Sequence, residues 1–176
     1  MKWEHILAAL VVVLMLLLVI RIAYFAGEDA DILPVLIDVQ EPFYPVYYGS
    51  PEGDLLEPEF HHGIASIDQV LADLLAGPRL NHLIGIIPPE TKVLGYHKTG
   101  GTLYVNFSHH LATNHPGGSM GEIMTVYGIV NSLTEISGVE KVQILLENQM
   151  VFTLAGHLDL TEPLHKDYAI LGTSAL

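Results

Sequence analysis

The sequence predicts an α+β domain in which two helices pack on one face of a mainly antiparallel sheet, preceded by one transmembrane helix. Three observations lead to this prediction. A long apolar run lies near the amino terminus, two amphipathic segments begin with helix-capping signals, and the segments around them alternate as β-hairpins do. The 176 residues are enough for one domain with a real core and too few for two ordinary domains.

The apolar run extends from Ile6 to Ala26 and is interrupted only by Arg21. A helix needs about 20 such residues to cross roughly 30 Å of hydrocarbon, so residues 6–26 are predicted to be a transmembrane helix. A cleaved signal peptide is the alternative interpretation. Between Ala23 and Ala30 no pair of small residues has the spacing that a signal peptidase requires, which favours an uncleaved anchor.

The flanking charges predict the orientation of this helix. Lys2 precedes it, so residues 1–5 are predicted to be cytoplasmic, and the acidic "GEDAD" follows it, which predicts an extracytoplasmic location for the rest of the chain, in the periplasm or on the outer face. All but one of the 20 acidic residues follow Gly27. An acidic domain of this kind would repel nucleic acid and anionic lipid headgroups, so neither is predicted as a ligand.

Residues 27–42 are predicted to be a linker, in which "ILPVLIDV" is compatible with one extra strand. The domain proper is predicted at residues 43–172, with a short tail at residues 173–176. Its first element is a hairpin in which "FYPVYY" and "LLEPEFHH" flank the turn "GSPEGD". Pro58 restricts the second of these strands to a sheet edge.

The two helices are predicted from capping boxes, in which a serine is followed three residues later by glutamine or glutamate. Ser66 and Gln69 begin the first helix, which "AGP" ends, and Ser119 and Glu122 begin the second, which is predicted to end at Gly138. The segment "KVLGYHKTGGTLYVNFS" between them predicts a hairpin with "TGG" as its turn. After the second helix, "VEKVQILLENQMVFTL" predicts two strands around "EN".

Five pieces of the sequence, taken in order, resemble the GerMN domain of the sporulation and spore germination family. They are "VLADLLAGP", "GIIPPETKVLGY", "LYVNFS", "GGSMGEIMTVYGIVNSLTEISGVEKVQILLE" and "TLAGHLDLTEPL". The resemblance covers about residues 43–164 and implies an extracytoplasmic, membrane-tethered module without a known catalytic role. It also implies a fold similar to the ring-building motifs of envelope-spanning complexes. The chain has one copy of the domain and no cysteine for lipid attachment, unlike the best-known sporulation protein of the family.

Histidines are the most prominent candidates for chemistry, and three of the ten lie in "NFSHHLATNHPGGSMGE" at residues 106–122. A metal site would draw on imidazoles from the set His61, His62, His97, His109, His110 and His115. Adjacent histidines on a strand point to opposite faces, and no carboxylate lies between Phe107 and Glu122. Loop histidines on the surface are therefore the favoured interpretation, and no metal ligand is assigned.

Three further candidates give no catalytic or cofactor-binding residue. Ser108 beside His109 suggests a nucleophile and a base, but sequence adjacency does not place them in space, and a serine that ends a strand often bonds nearby backbone. "HPGGSMGE" has the glycines of an anion site without the lysine of a phosphate loop. The acidic pairs Glu57 with Glu59 and Asp159 with Glu162 match the residue types of a glycosidase, but nothing places them around a cleft.

The prediction from the sequence is therefore a non-enzymatic, single-pass protein of the cytoplasmic membrane with a protein-interaction or scaffolding domain outside. Its predicted partners are other envelope proteins, or further copies of itself, and the membrane through residues 6–26. No cofactor is predicted. A histidine-dependent metal-binding protein or hydrolase, and a peptidoglycan-binding module, are the alternatives.

Overall fold

A computed structural model describes residues 3–28 and 42–172. The chain divides into two compact units at about residue 40, and each unit is described separately. The predicted linker strand and the tail at residues 173–176 lie outside the described residues. So do most of the predicted linker at residues 27–42 and the first two residues of the chain.

The first unit contains one helix, α1 (Trp3–Glu28), of 26 residues. Its described large apolar side chains are all exposed, including those from Leu10 to Ile20. Within residues 3–28 and 42–172, however, the structure contains no helix that combines the length and the apolarity needed to span a bilayer. The helix predicted at residues 6–26 is present, whereas the structure does not show it as a membrane span.

The second unit is an α+β domain built on two sheets. Strands β1 (Phe43–Gly49) and β2 (Leu56–His62) form the predicted antiparallel hairpin, which is a separate two-stranded sheet. The larger sheet contains β3 (Val93–Thr99), β4 (Thr102–Phe107), β5 (Lys141–Leu146) and the short strands β6 (Gln149–Met150) and β7 (Leu164–His165). Its order is β3-β4-β5-β6, and β7 also pairs with β5.

The larger sheet is mainly antiparallel, as predicted, but its central pair is parallel. β4 and β5 run in the same direction, with Leu103 opposite Val142 and Val105 opposite Ile144. The connection between them includes a helix of 15 residues, which returns the chain to the end of the sheet where β4 began. The sequence predicted the strands and the helix but not this parallel pairing.

The helices are α2 (Ile67–Ala76), α3 (His110–Thr113) and α4 (Ser119–Leu133). α2 begins and ends as predicted: the Ser66 hydroxyl accepts a hydrogen bond from the Gln69 N–H, and Gly77 follows the helix with φ of 80°. α3 was not predicted. α4 ends at Leu133, before the predicted end at Gly138, because residues 134–138 form turns that lead into β5.

α4 is the centre of the domain and is buried on nearly all sides. It contacts β1 of the hairpin as well as β5 and β7 of the larger sheet, so the helix layer lies between the two sheets. The α+β class is confirmed, but the predicted packing of two helices on one face of a mainly antiparallel sheet is corrected: α4 lies between two sheets, and α3 is a further helix. The core consists of apolar side chains from all three layers, among them Val46, Tyr48, Leu103, Phe107, Ile129 and Ile144.

Gly128 allows α4 to approach β1 closely. A Cβ atom at this position would lie 2.0 Å from Cδ1 of Ile86 and 3.4 Å from the Tyr47 carbonyl oxygen. One turn later, the Ser132 hydroxyl donates to the Gly128 carbonyl and accepts from the Tyr47 N–H at 2.9 Å. The helix and the strand are thus joined by packing and by a shared hydrogen-bond network.

The turn between β5 and β6 is held by hydrogen bonds to an uncharged side chain, that of Asn106. Glu147 and Asn148 both have positive φ, at 50° and 64°, as a two-residue hairpin turn requires. The Asn106 amide on β4 accepts from the Asn148 N–H at 2.7 Å and donates to the Asn148 side chain at 2.9 Å. The predicted hairpin around "EN" is confirmed, and this amide pair fixes its turn.

The predicted capping box at the start of α4 is wrong. Gly118, with φ of 82°, is the residue before the helix, and no side chain caps it. The Glu122 carboxylate faces a different element, the irregular segment after β6. It accepts the N–H groups of Leu154, Ala155 and His157 at 2.7 to 3.0 Å, together with the Thr153 hydroxyl.

Glu122 is fully buried, and burial raises the pKa of its carboxyl group. The four hydrogen bonds act in the opposite direction and outweigh burial, so the pKa lies below its ordinary value of 4.5. The ionised carboxylate therefore stabilises the segment at residues 153–157. A depressed folded-state pKa contributes stability above the ordinary value and loses it as the pH falls through the folded-state value.

We expect Glu122→Gln to lower the free energy of unfolding by about 2–4 kcal/mol at neutral pH, because an amide cannot accept all four hydrogen bonds. The variant should also lose less stability than the wild type on acidification, since it lacks the titrating group. Urea unfolding between pH 7 and pH 3 measures both effects. Glu162→Gln, at an exposed position, is the matched control. Equal losses for the two variants would contradict this role of Glu122.

Candidate functional site

The histidine-rich segment at residues 106–122 does not form one site. Asn106 and Phe107 end β4, His110 to Thr113 form α3, and Gly117 and Gly118 turn the chain into α4 with φ of 83° and 82°. The segment is therefore a strand end, a connection and a helix start in succession. The connection contains the short helix α3, and its side chains have separate partners.

Ser108 has a structural role of the kind that the sequence favoured. Its hydroxyl accepts the Lys92 N–H at 3.0 Å, and its own N–H donates to the Lys92 carbonyl, which joins the end of β4 to the start of β3. The nearby imidazole is that of His110, not that of His109, with Nδ1 at 3.4 Å from the hydroxyl oxygen. His110 Nε2 lies 3.7 Å from the exposed Glu90 carboxylate. Because the hydroxyl is buried and both distances are long, this arrangement is not an activated nucleophile.

His109 and His110 lie side by side, contrary to the expectation that they point to opposite faces. Their ring centroids are 4.2 Å apart, because the strand has already ended and His109 has helical backbone angles. The His109 imidazole lies near Glu147, with Nδ1 at 3.5 Å from the carboxylate. Even so, the described residues contain no group of three or more histidine, aspartate or glutamate side chains arranged to hold a metal ion.

His115 fixes the loop before α4. Its Nδ1 accepts the Gly117 N–H at 3.0 Å, which leaves the hydrogen of a neutral ring on Nε2. Nε2 then donates to the Thr125 hydroxyl at 3.2 Å, which itself donates to the Ile86 carbonyl at 2.7 Å. Both ring nitrogens are thus used within the fold. The loop forms one wall of an apolar groove of about 350 Å³, lined by residues that include Ile84, Pro88, Pro116 and Met124.

The two acidic pairs considered from the sequence, Asp159 with Glu162 and Glu57 with Glu59, differ in their burial and in their contacts. Asp159 accepts both the N–H and the hydroxyl of Thr161 in a local turn on the surface, and Glu162 is exposed. Glu59 is buried, whereas Glu57 is only partly so. Neither pair forms the two walls of a cleft, which glycoside hydrolysis requires.

Glu59 belongs to a buried charged cluster that the sequence did not reveal. His61 is 2% exposed, with Nε2 3.0 Å from Glu59 Oε1 and Nδ1 3.2 Å from Asp73 Oδ2. Neither contact has hydrogen-bond alignment, so both nitrogens and this oxygen are buried without a hydrogen bond in the described part of the chain. Both ring nitrogens of His61 therefore face a carboxylate oxygen at close range inside the unit.

Both carboxylates accept hydrogen bonds from groups other than His61. Glu59 Oε2 accepts the N–H groups of Arg79 and Leu80 at 2.8 and 2.7 Å. Asp73 accepts the Tyr44 hydroxyl at 2.6 Å, and the Arg79 guanidinium lies 3.3 Å away. Burial, and then the bond to Asp73, raises the pKa of Tyr44 to about 12, so this hydroxyl stays a donor at neutral pH.

The cluster joins the hairpin to α2. Glu59 and His61 lie on β2 and Tyr44 on β1, whereas Asp73 lies on α2 and Arg79 follows it. The signal in the sequence was a charged residue and a histidine at alternate positions of "EPEFHH", which places both side chains on one face of the strand. Only the structure shows that this face is the inner one. The side chains of Tyr44, Glu59, His61 and Asp73 are buried and contact one another, whereas that of Arg79 is largely exposed. The cluster therefore holds the hairpin against α2, and its buried part presents no open position to a ligand.

Large apolar side chains are exposed at several places on the second unit, among them three that lie on or beside strands. The hairpin-end patch consists of Phe43, Phe60 and Ile64, of which Ile64 is 82% exposed. The β3 edge consists of residues 93–99 and exposes Leu94 and Tyr96. The β6 patch consists of Met150 and Phe152, and Phe152 is 81% exposed. Where exposed apolar side chains are contiguous they mark surfaces that bind another molecule, so these three places are candidate interaction surfaces.

We expect His61→Ala to lower the free energy of unfolding by about 3–5 kcal/mol, because it empties the space between two buried carboxylates and removes the partner that they share. The adjacent His62→Ala is the matched control. His62 is exposed and contacts only the ring of Phe43 in the aromatic pairs of the described residues, so its loss should cost about 1 kcal/mol or less. Urea unfolding of both variants makes the comparison, and similar losses would show that the cluster does not hold the hairpin.

Comparison with known proteins places the domain in a family. Residues 45–152 match the family model described as Germane, sporulation and spore germination. Comparison with curated proteins yields no match.

Three solved structures share the fold. The tandem GerMN domains of the sporulation protein GerM from Bacillus subtilis match with a TM-score of 0.59 and 18% identity. That match covers 71% of this chain and 46% of the tandem structure, so the chain spans about half its length. The first GerMN domain of the same protein matches with a TM-score of 0.56 and 19% identity, over 72% of this chain and 96% of that domain.

A protein from Clostridium perfringens that carries a provisional lipoprotein description matches with a TM-score of 0.51 and 26% identity, over 72% of this chain and 88% of that protein. The family model covers more than half of the chain, and the structural matches agree with it. The chain therefore belongs to the Germane family of sporulation and spore germination.

Proposed function

We propose that this protein is a non-catalytic interaction module of the bacterial cell envelope, attached to the cytoplasmic membrane by α1, with the Germane domain outside the cytoplasm. The single observation that supports this function best is the contrast between interior and surface. The side chains of Ser108, His61 and His115 are engaged within the fold, whereas large apolar side chains face solvent at several places.

The interior polar groups support a scaffold in preference to an enzyme. Ser108 accepts a backbone N–H, both nitrogens of His115 have partners, and Glu122 holds residues 153–157. An enzyme needs a nucleophile or a base that can reach a substrate in a cleft. No observation on the described residues favours a hydrolase or a metal-binding protein.

The relatives support the same function. One of them is named as a sporulation protein and another carries a provisional lipoprotein description, which fits a location at the membrane. The present sequence has no cysteine for attachment of a lipid, and its apolar residues 6–26 would serve as the anchor instead. We extend the envelope location to this chain on these grounds.

Attachment to the membrane is supported by the surface of α1. The helix exposes a continuous apolar surface from Leu10 to Ile20, and only Arg21 is charged among its described side chains from Leu10 to Tyr24. Burying such side chains in lipid is favourable by about 25 cal/mol per Å² of apolar area. The amino-terminal end with Lys2 would face the cytoplasm.

We expect the protein to sediment with membranes, to resist extraction by alkaline carbonate and to be released by detergent. The double variant Leu14→Glu, Leu17→Glu should shift most of the protein to the supernatant, because two buried carboxylates in hydrocarbon are costly. The matched control is Phe60→Glu, Ile64→Glu, which adds the same charge on the Germane domain. Release of the wild type by carbonate would contradict attachment through α1.

We expect a photo-crosslinking residue at Phe60, Tyr96 or Phe152 to form a defined adduct with an envelope protein in living cells. The exposed positions Glu52 and Glu162 are the controls and should give no such adduct. Mass spectrometry of the adduct identifies the partner. Adducts equal to the controls at all three positions would contradict an interaction module, and sedimentation of the protein with purified sacculi would favour glycan binding instead.

A further inference from the structure

Strand β3 is an edge strand whose outer side is open. It pairs with β4 and stands at the end of the larger sheet, and every residue from Leu94 to Thr99 is exposed. The backbone N–H and C=O groups on that side have no partner strand in the described part of the chain. An open edge of this kind is a ready template for one more strand.

The turn after β3 identifies the outward backbone groups. Gly100 and Gly101 form a two-residue turn with φ of 53° and 80°, so Thr99 and Thr102 are the hydrogen-bonded pair that closes it. Hydrogen-bonded and non-hydrogen-bonded pairs alternate along an antiparallel ladder. The N–H and C=O groups of Lys98, opposite Leu103, therefore point away from β4, as do those of Tyr96.

The side chains of Tyr96 and Lys98 on β3 lie on the face of the sheet that packs against the core. Tyr96 lies opposite Val105 and Lys98 opposite Leu103, and both partners on β4 are fully buried. Tyr96 is nevertheless 40% exposed, and Leu94, beside the bulge between Val93 and Gly95, is 46% exposed. An added strand would cover these apolar groups and extend the core side by one row.

Two lysines lie on or beside this edge within an acidic protein, Lys98 on β3 and Lys92 just before it. No acidic residue lies between Glu90 and Glu122, and this stretch contains Lys92 and Lys98. The nearest acids have other contacts: Asp68 accepts the Tyr96 hydroxyl at 2.8 Å, and Glu140 lies against Gly101 at the turn. Lys98 Nζ donates to the Gly138 carbonyl at 3.3 Å and forms no ion pair with a described residue.

We infer that β3 binds an extended, acidic segment of a partner protein, which adds a strand to the larger sheet and places carboxylates beside Lys98 and apolar side chains beside Tyr96. This inference rests on the proposed function and names the chemistry of one partner. A second copy of the chain fits less well, since pairing two copies of β3 brings their lysines together.

The probe is a nine-residue peptide with threonine at every second position and valine and glutamate alternating between them. Its counterpart has lysine in place of glutamate. We expect the acidic peptide to bind the full chain at least about tenfold more tightly than the lysine peptide, with an affinity that falls as salt is added. Amide chemical-shift changes in the labelled full chain should concentrate on β3. Equal affinities, or shifts that concentrate on the groove by Ile84 and Pro88, would overturn the inference.

Lys98→Pro and Lys98→Gln form a matched pair, because both remove the charge and only proline removes the outward N–H. An edge strand tolerates proline at such a position. We expect Lys98→Pro to weaken binding of the acidic peptide at least about tenfold more than Lys98→Gln does. Lys98→Glu, which keeps the N–H, should reverse the preference between the two peptides, and this third variant keeps the test decisive if the proline variant is unstable.

Equal binding by the proline and glutamine variants, or an unchanged preference in Lys98→Glu, would overturn the inference. Sedimentation of the chain without peptide tests whether a second copy of the chain occupies the edge. A dimer that Lys98→Pro dissociates would assign this edge to self-association instead. If crosslinks form at Phe60 or Phe152 while the acidic peptide fails to bind, the interaction module stands and the inference about β3 falls.

Discussion

The position of α4 between two sheets is the constraint on which the rest of the domain depends. A helix buried on nearly all sides has no face for its polar side chains to reach water, so each of them must be satisfied inside the protein. Glu122 binds the segment after β6, Thr125 the Ile86 carbonyl, Asn131 the backbone of Asp167, and Ser132 the backbone of β1. These contacts attach four otherwise separate parts of the chain to one helix.

The same helix explains how far the sequence predicted the fold. Sequence patterns that depend on neighbouring residues alone gave correct predictions. α2 begins after Ser66 and ends before Gly77, and Gly100 and Gly101 form the turn between β3 and β4. The start of α4 was not, because Ser119 and Glu122 match a capping box by spacing, but the partner of Glu122 lies more than 30 residues away in the chain. A local pattern cannot distinguish a carboxylate that caps its own helix from one that binds a distant loop.

The candidate site shows a similar limit. The histidines at 109, 110 and 115 lie close together in the sequence, yet the most deeply buried imidazole among the candidate histidines is that of His61, on β2. Its importance comes from Asp73 and Tyr44, and no spacing in the sequence brings these residues together. The interpretation of Ser108 succeeded because a serine at a strand end needs only a neighbouring backbone group, and Lys92 provides it.

The chain after β5 is held at two places by different chemistry. The first place is the β5–β6 turn, which is held by the amide pair between Asn106 and Asn148. The pair is neutral, so neither salt nor proton concentration changes its two hydrogen bonds. The segment at residues 153–157, only a few residues further along, is held by an ionised carboxylate. Acidification therefore weakens the contacts that hold residues 153–157, while the neutral amide pair at the neighbouring turn is unaffected.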